Sequence, residues 1–396
     1  MSWLKASIRK VAPPKAAPIF YAADDAVWQL SLDQIESDTG EIIGKRHAAA
    51  GDAGSSTFCF DEGNVLYSKL RPYLNKVLIP DEPGVATTEL IPLRPDTKTL
   101  NQRYLAYYLR SPAFVNQASH HVAGAKMPRV VMDWFWEHEI SLPTPSEQSR
   151  IVELLDEADH LRKLRREADT KAVRILPTLF LKMFGDPATN PKGLRKEPLG
   201  KLVKVKSGDF LPAKDMAKEG TYPVYGGNGI NGLHDTYMFE EQKIVLGRVG
   251  AYCGVVHYSS RNAWITDNAL YVSEKLEPIE DQYLVAALEQ ANLNQYAGRA
   301  GQPLISGSRI YPVEILVPAE DEQLVFARSV SDLRKVNDIL AVASRNLDSL
   351  WDTLMTRAFS GQLTAKWREG HMKELLAEME QQARMLNLPA QLETAP

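Results

Sequence analysis

Gly227, Gly229 and Gly232 stand at the spacing G-x-G-x-x-G within YPVYGGNGINGLH (222–234). Such a pattern cradles a dinucleotide pyrophosphate when a strand precedes it, a helix opens on it and an acid follows about 20 residues later. Here the following LHDTYMF has no helical period, and Glu240 and Glu241 come too early. The density of Gly and Asn between tyrosines instead predicts a tight, exposed turn that takes positive φ. Asp156-Glu157-Ala158-Asp159 spells a helicase box, but no G-x-x-x-x-G-K-[ST] phosphate loop accompanies it. Those acids fall mid-helix on its outer faces, where they read as solvated charge. Methyl transfer to a base needs a cofactor loop and an Asn/Asp-Pro-Pro-aromatic motif, and the one Pro-Pro pair is Pro13-Pro14 in APPK. No His pair stands at metal-ligand spacing, and no Ser-His-Asp set can be argued from spacing. Cys59 and Cys253 are far apart, which argues against a disulfide framework or a Cys-rich zinc site.

What remains is a set of basic and amide residues in turn-rich places. Lys69 and Arg71 lie in YSKLRPYLNK, Lys126 and Arg129 in GAKMPRV, and Arg248 in LGRVGAY. Arg299, Gln302, Ser308 and Arg309 lie in RAGQPLISGSR, and Asn228 tips the glycine-rich stretch. Each alone reads as a surface charge. Together they suit phosphates and base edges. The net charge of −4 counts mildly against a nucleic-acid binder, although affinity for phosphates depends on local clusters.

These residues recur because the chain is written twice. At a shift of 179 residues, EGNVLYSKLRPYLNKV (62–77) lies on EQKIVLGRVGAYCGVV (241–256), matching Glu62 with Glu241, Lys69 with Arg248 and Tyr73 with Tyr252. Tyr104, Leu105 and Leu109 meet Tyr283, Leu284 and Leu288 at the same shift. Further on the shift is 175: ISLPTPSEQ (140–148) lies on ILVPAEDEQ (315–323), and Phe184 on Phe359. Each copy starts with short apolar, Gly- and Tyr-rich runs that read as strands with turns, then a helix near Arg103–Leu109 or Tyr283–Leu288. Each copy ends in a long helical pattern.

In the first copy Leu154, Leu161, Ile175 and Leu179 belong to a stripe stepping by 3 and 4. In the second copy Leu333, Leu340, Leu347 and Leu354 do the same. This is the seam of a coiled coil, and the shared register predicts that the two helices pack on each other. Arg165 is the one charged seam residue, and Pro177 is expected to strain or kink the first helix near its end. The expected fold is α+β: two homologous α/β domains, each followed by a long helix, with the two helices packed on each other. The boundaries read as 1–145 (first domain), 146–184 (first long helix), 185–200 (a Pro- and Gly-rich linker), 201–318 (second domain), 319–361 (second long helix) and 362–396 (a further helix and tail). Hydrophobic residues at 44% suffice for real cores, and no stretch approaches the ~20 apolar residues of a membrane span. The opening MSWLKASIRKVAPPK lacks the continuous apolar segment of a secretory signal, so a cytoplasmic location is expected.

The chain resembles the specificity (S) subunits of type I restriction–modification enzymes. The resemblance covers nearly the whole chain. It is carried by the duplicated order of domain then helix, and by PVYGGNGING, GQPLISGSRIYPVEILVP and LPTPSEQSRI followed by a long helix. The first-copy motifs are looser, with GAKMPRV in place of the Gly-Gln-Pro stretch. The resemblance implies two target recognition domains, each reading one half of a split double-stranded DNA site, held apart by antiparallel helices. It implies no catalysis and no cofactor on this chain. S-adenosylmethionine and ATP would act on partners: methylation (M) subunits, two in number, and restriction (R) subunits docked through them. Residues 154–179 as one helix would span ~39 Å, against ~34 Å for one turn of B-DNA. Expected DNA contacts are Lys69, Arg71, Lys126 and Arg129 in the first domain, and Asn228, Arg248, Gln302 and Arg309 in the second. The alternatives are a specificity subunit of a related, type II-like system, a stand-alone enzyme on nucleic acid, and a two-lobed scaffold that binds protein only.

Overall fold

The computed structural model describes residues 2–298 and 302–389. It divides into two units: the described residues of Met1–Arg165 with those of Ser344–Pro396, and the described residues of Arg166–Ala343. Both long helices cross this division in sequence. Each unit therefore holds one strand-rich half, the start of the helix that follows it, and the end of the helix that follows the other half.

The first unit has a four-stranded sheet in the order His47–Ala49, Ala26–Leu30, Gly84–Thr87, Thr57–Phe60, and a three-stranded one in the order Val77–Leu78, Val65–Ser68, Leu90–Leu93. All pairings are antiparallel except Ala26–Leu30 with Gly84–Thr87. The second unit repeats this plan. Ile244–Gly247 pairs antiparallel with Val256–Tyr258 and Ala269–Lys275, and Tyr222–Gly226 pairs parallel with Trp264–Ile265. Each unit also has a two-stranded ribbon leading into its long helix: Leu4–Ser7 with Glu139–Leu142, and Arg195–Pro198 with Glu314–Val317. Arg195–Pro198 lies within 185–200, the stretch that reads as a linker. Its partner is more than a hundred residues away, so no local period marks it.

The repeated Glu-Gln pair has a structural task. The Gln148 carboxamide accepts from the Asn101 N–H (2.7 Å) and donates to the carbonyls of Pro143 (2.8 Å) and Thr99 (3.0 Å). Its counterpart Gln323 accepts from the Glu280 N–H (2.9 Å) and donates to the Pro318 carbonyl (2.9 Å). Asn101 and Glu280 in turn cap the helices Gln102–Arg110 and Asp281–Gln290, satisfying first-turn N–H groups that have no partner within the helix. One buried glutamine thus fixes the start of each long helix to the short helix of its own domain.

The first long helix runs Pro145–Ala172 and stops; a separate helix resumes at Ile175–Phe184. The expected single helix over 154–179 is therefore wrong. Pro177 is the cause: it has no N–H for the Val173 carbonyl and its ring collides with that carbonyl, so Val173 and Arg174 leave the helix. The second long helix, Glu320–Phe359, is unbroken for 40 residues, ~60 Å.

The expected seam also needs correction. Leu154, Leu179, Leu333, Leu340, Leu347 and Leu354 are half-buried, but Leu161 is 52% and Ile175 46% exposed. The buried stripe of the first long helix is instead Ile151, Val152, Leu155 and Asp159, turned toward its own domain. Near its middle the contacts in the first unit are polar. The Arg162 guanidinium lies 3.3 Å from Asp348 and over the Trp351 ring, and Arg165 Nε donates to Ser344 Oγ (3.0 Å). Going from 162 to 165 moves the partner from 348 back to 344, so this stretch runs antiparallel.

The core of the first unit joins Tyr104, Leu105, Phe114, Phe135, Ile151 and Leu155 to Trp351, Met355 and Ala358 from the end of the second long helix. A C-terminal helix, Met372–Met385, adds Met379 and Ala383. The core of the second unit joins Tyr283, Leu284, Ile315 and Leu316 to Phe180, Phe184, Phe326 and Val330. No helix among the described residues is long and apolar enough to cross a membrane.

Candidate nucleic-acid interface

Lys69 directly follows the strand Val65–Ser68, and Arg248 directly follows Ile244–Gly247. Both strand ends are tied into place by the same three backbone hydrogen bonds. The Lys69 N–H donates to the Glu89 carbonyl (3.0 Å), the Lys69 carbonyl accepts from Val130 (2.9 Å), and the Arg71 N–H donates to the Pro128 carbonyl (2.7 Å). In the second unit the Arg248 N–H donates to the Asn268 carbonyl (3.0 Å), the Arg248 carbonyl accepts from Ile305 (2.9 Å), and the Gly250 N–H donates to the Pro303 carbonyl (2.9 Å). Every pair is equivalent under the shifts of 179 and 175. So are the bridges Leu70–Arg129 and Val249–Leu304, and the hairpin closures Ala123–Arg129 and Gly298–Leu304.

A short turn follows each basic residue. It has left-handed backbone at Arg71 (φ 50°) and Asn75 (φ 49°) in the first unit, and at Gly250 (φ 82°) and Gly254 (φ 90°) in the second. Glycine and asparagine take this region readily, and arginine does so at a cost. Tyr73 and Tyr252, at equivalent places in the two turns, are 54% and 52% exposed. Sequence reasoning matched them as a repeat but missed them as surface aromatics. The signal was their alignment; their exposure follows only from the turn.

The structure gathers Lys69, Arg71, Lys126 and Arg129 around the hairpin formed by Val122–Ala123 and Arg129–Val130. Arg71 and Lys126 are exposed and Lys69 is half-buried. Arg129 differs from its expected role. Its Nε and Nη2 bond the Glu89 carboxylate at 2.8–3.1 Å, which holds that carboxyl below the usual carboxylate range. A guanidinium engaged this way clamps the hairpin to the turn before Leu90–Leu93, with its side chain still 42% exposed.

In the second unit Asn228 is exposed in the two-residue turn between Tyr222–Gly226 and Gly229–His234, whose Gly226 pairs with Gly229. Gly229 has φ 85°, the positive value the glycine-rich stretch predicts. This turn packs closely on the Arg248 strand end, since a Cβ on Gly247 would collide with the Gly227 carbonyl. Arg248 Nη1 donates to Ser207 Oγ (2.9 Å) and the Asp267 carbonyl (3.2 Å), while its buried Nε has no hydrogen-bond partner among the described residues. Gln302 is exposed, and its Nε2 lies 3.3 Å from where a Cβ on Gly250 would stand. The exposed Arg309 places its guanidinium against Gly298, at the base of the second hairpin. Asn228, Arg248, Gln302 and Arg309 are thus brought together, whereas Arg299 lies outside the described residues. Asn228 has no first-unit counterpart, because Ala26–Leu30 and His47–Ala49 are joined by a longer connection. Among the described residues no group of three or more His, Cys, Asp or Glu side chains is placed to hold a metal.

Both strand-end regions match one family model, the type I restriction modification DNA specificity domain, at residues 53–171 and again at 191–346. The chain is 26% identical over 354 residues to the specificity subunit of the Escherichia coli type I restriction enzyme EcoprrI, covering 84% of this chain and 86% of that protein. It is 24% identical over 188 residues to the E. coli EcoDI specificity subunit, covering 46% and 41%. Among solved structures, a chain from work on assembly and conformational transition of the type I R-M system superposes with a TM-score of 0.61 at 17% identity, covering 91% of this chain and 98% of that one. The S subunit of a type I restriction–modification system from M. genitalium gives 0.55 at 16% identity, covering 90% and 96%. At these identities the superpositions speak to the fold.

Proposed function

Because the chain belongs to the type I restriction–modification DNA specificity family, we propose that it is the subunit that chooses the DNA sequence for such a system, each half reading one part of a split, asymmetric site. The observation that carries this is the duplicated strand end. Two differently equipped sets of exposed polar residues sit on one and the same backbone frame, which is what two unlike half-sites require. Phosphate contacts fix register, and base-edge contacts supply sequence. Lys69 and Arg248, at equivalent strand ends, are the positioning cations. In this reading the exposed Arg71, Lys126, Asn228 and Gln302 contact base edges, and the exposed Tyr73 and Tyr252 lie in the turns after Lys69 and Arg248.

In this reading the chain performs no chemistry. Two methylation subunits bring S-adenosylmethionine, restriction subunits docked through them bring ATP, and the assembly works in the cytoplasm. In this reading the two long helices are the spacer between the readers. Linking two weak readers makes the second binding event intramolecular and so raises overall affinity.

Arg248→Ala tests the positioning role. The chain assembled with its methylation subunits should bind DNA more weakly, and the log–log salt dependence should become shallower by about one unit. An unchanged slope across a salt series would remove Arg248 from the interface.

A further inference from the structure

Positions 71 and 127 of the first half correspond to 250 and 302 of the second. The geometry points to these two positions as the base-reading pair, equipped in opposite ways: Arg71 beside Met127 in one half, Gly250 beside Gln302 in the other. The inference rests on the DNA-reading function proposed above and deepens it. It assigns a guanine to the part-site read by the first half and an adenine to the part-site read by the second.

The pair is defined by the backbone. The bonds from Arg71 to Pro128 and from Gly250 to Pro303 set residue 127 next to 71, and residue 302 next to 250, in the same way. Met127, 45% exposed, and Gln302 both face solvent. The two positions compete for space, because Gln302 Nε2 already stands 3.3 Å from the Cβ that residue 250 lacks. A long side chain at 250 would displace Gln302, so these two positions together carry one polar side chain in each half.

Arg71 has the second mark of a reader. It keeps left-handed backbone (φ 50°) where the other half has glycine, and its exposed guanidinium finds no carboxylate among the described residues. Strain of this kind persists where the side chain is needed. A guanidinium forks onto guanine O6 and N7, and a carboxamide pairs with adenine N6 and N7. Met127, apolar and exposed beside Arg71, suits a thymine methyl better than a phosphate.

The test uses the chain assembled with its methylation subunits and a randomised duplex library whose methylated members are sequenced. Arg71→Gly, which installs the residue the other half carries at this backbone, should abolish a guanine preference of about tenfold or more at one position of the first part-site. The second part-site should be unchanged. Arg71→Lys keeps the charge without the fork, so it should retain overall affinity yet lose the same preference. Gln302→Met should remove an adenine preference at a position of the second part-site other than the methylated base, and nowhere else. A uniform loss across all sequences for Arg71→Gly, with the guanine preference retained by Arg71→Lys, would overturn the inference and leave DNA reading intact. A wild-type complex that yields no split consensus would overturn the functional reading, and the inference with it.

Discussion

Replacing Glu147 with alanine is expected to cost the first unit about 3–5 kcal/mol of stability. The Glu147 side chain is fully buried. Its carboxylate accepts from Thr364 Oγ1 (2.6 Å), Arg368 Nε (2.8 Å) and Trp3 Nε1 (2.9 Å), and Arg368 Nη2 lies 2.6 Å away in the same ion pair. Removing it strands the Arg368 guanidinium, 14% exposed and lying over the Trp3 ring, without an opposite charge. Gln382 and Glu378 add bonds from the C-terminal helix to Thr99, Pro143 and Ser146, so the loss should also loosen residues 362–388. Denaturant unfolding of the purified chain, with limited proteolysis of the C-terminal helix, measures both effects. The repeat supplies a control: Glu322 is the equivalent residue in the second unit, is exposed and, among the described residues, accepts only the Ala319 N–H (3.3 Å) at its helix start, so Glu322→Ala should cost about 1 kcal/mol or less.

Phe184→Ala should cost the second unit about 3–5 kcal/mol. The ring is fully buried among Phe180 (5.1 Å between centroids), Tyr283 (4.9 Å) and Phe326 (5.4 Å). These side chains come from three helices of that unit, which cannot all close over the vacated volume. Because Phe184 ends the helix that resumes after the Pro177 break, its loss also frees that helix from the domain it anchors. The first unit's transition should be unaffected, so two-step unfolding with only one step shifted is the expected result.

The sequence revealed the duplication because the two shifts, 179 and 175, hold over long stretches, and the same shifts later match backbone hydrogen bonds one for one. Element types followed from apolar spacing for the same reason. Pairings distant in sequence were not readable. Arg129 looked like a free cation because nothing near it in sequence shows that Glu89, forty residues earlier, would take its guanidinium. The 3–4 stripe was real, but its burial depended on what lay opposite. At Leu161 and Ile175 that could not be read from one helix alone. Pro177 was legible as a disturbance; that it ends one helix and lets another start depends on the collision with the Val173 carbonyl. Arg71 was singled out for its charge, and its left-handed backbone became meaningful only beside Gly250.

The central claim is that two unlike readers sit on one repeated frame. It is tested most directly by mapping methylated adenines on DNA modified by this chain together with its methylation subunits. The account predicts a single consensus made of two short, different half-sites separated by a fixed run of unspecified bases. A continuous site, a palindrome with identical halves, or methylation without sequence preference would contradict it.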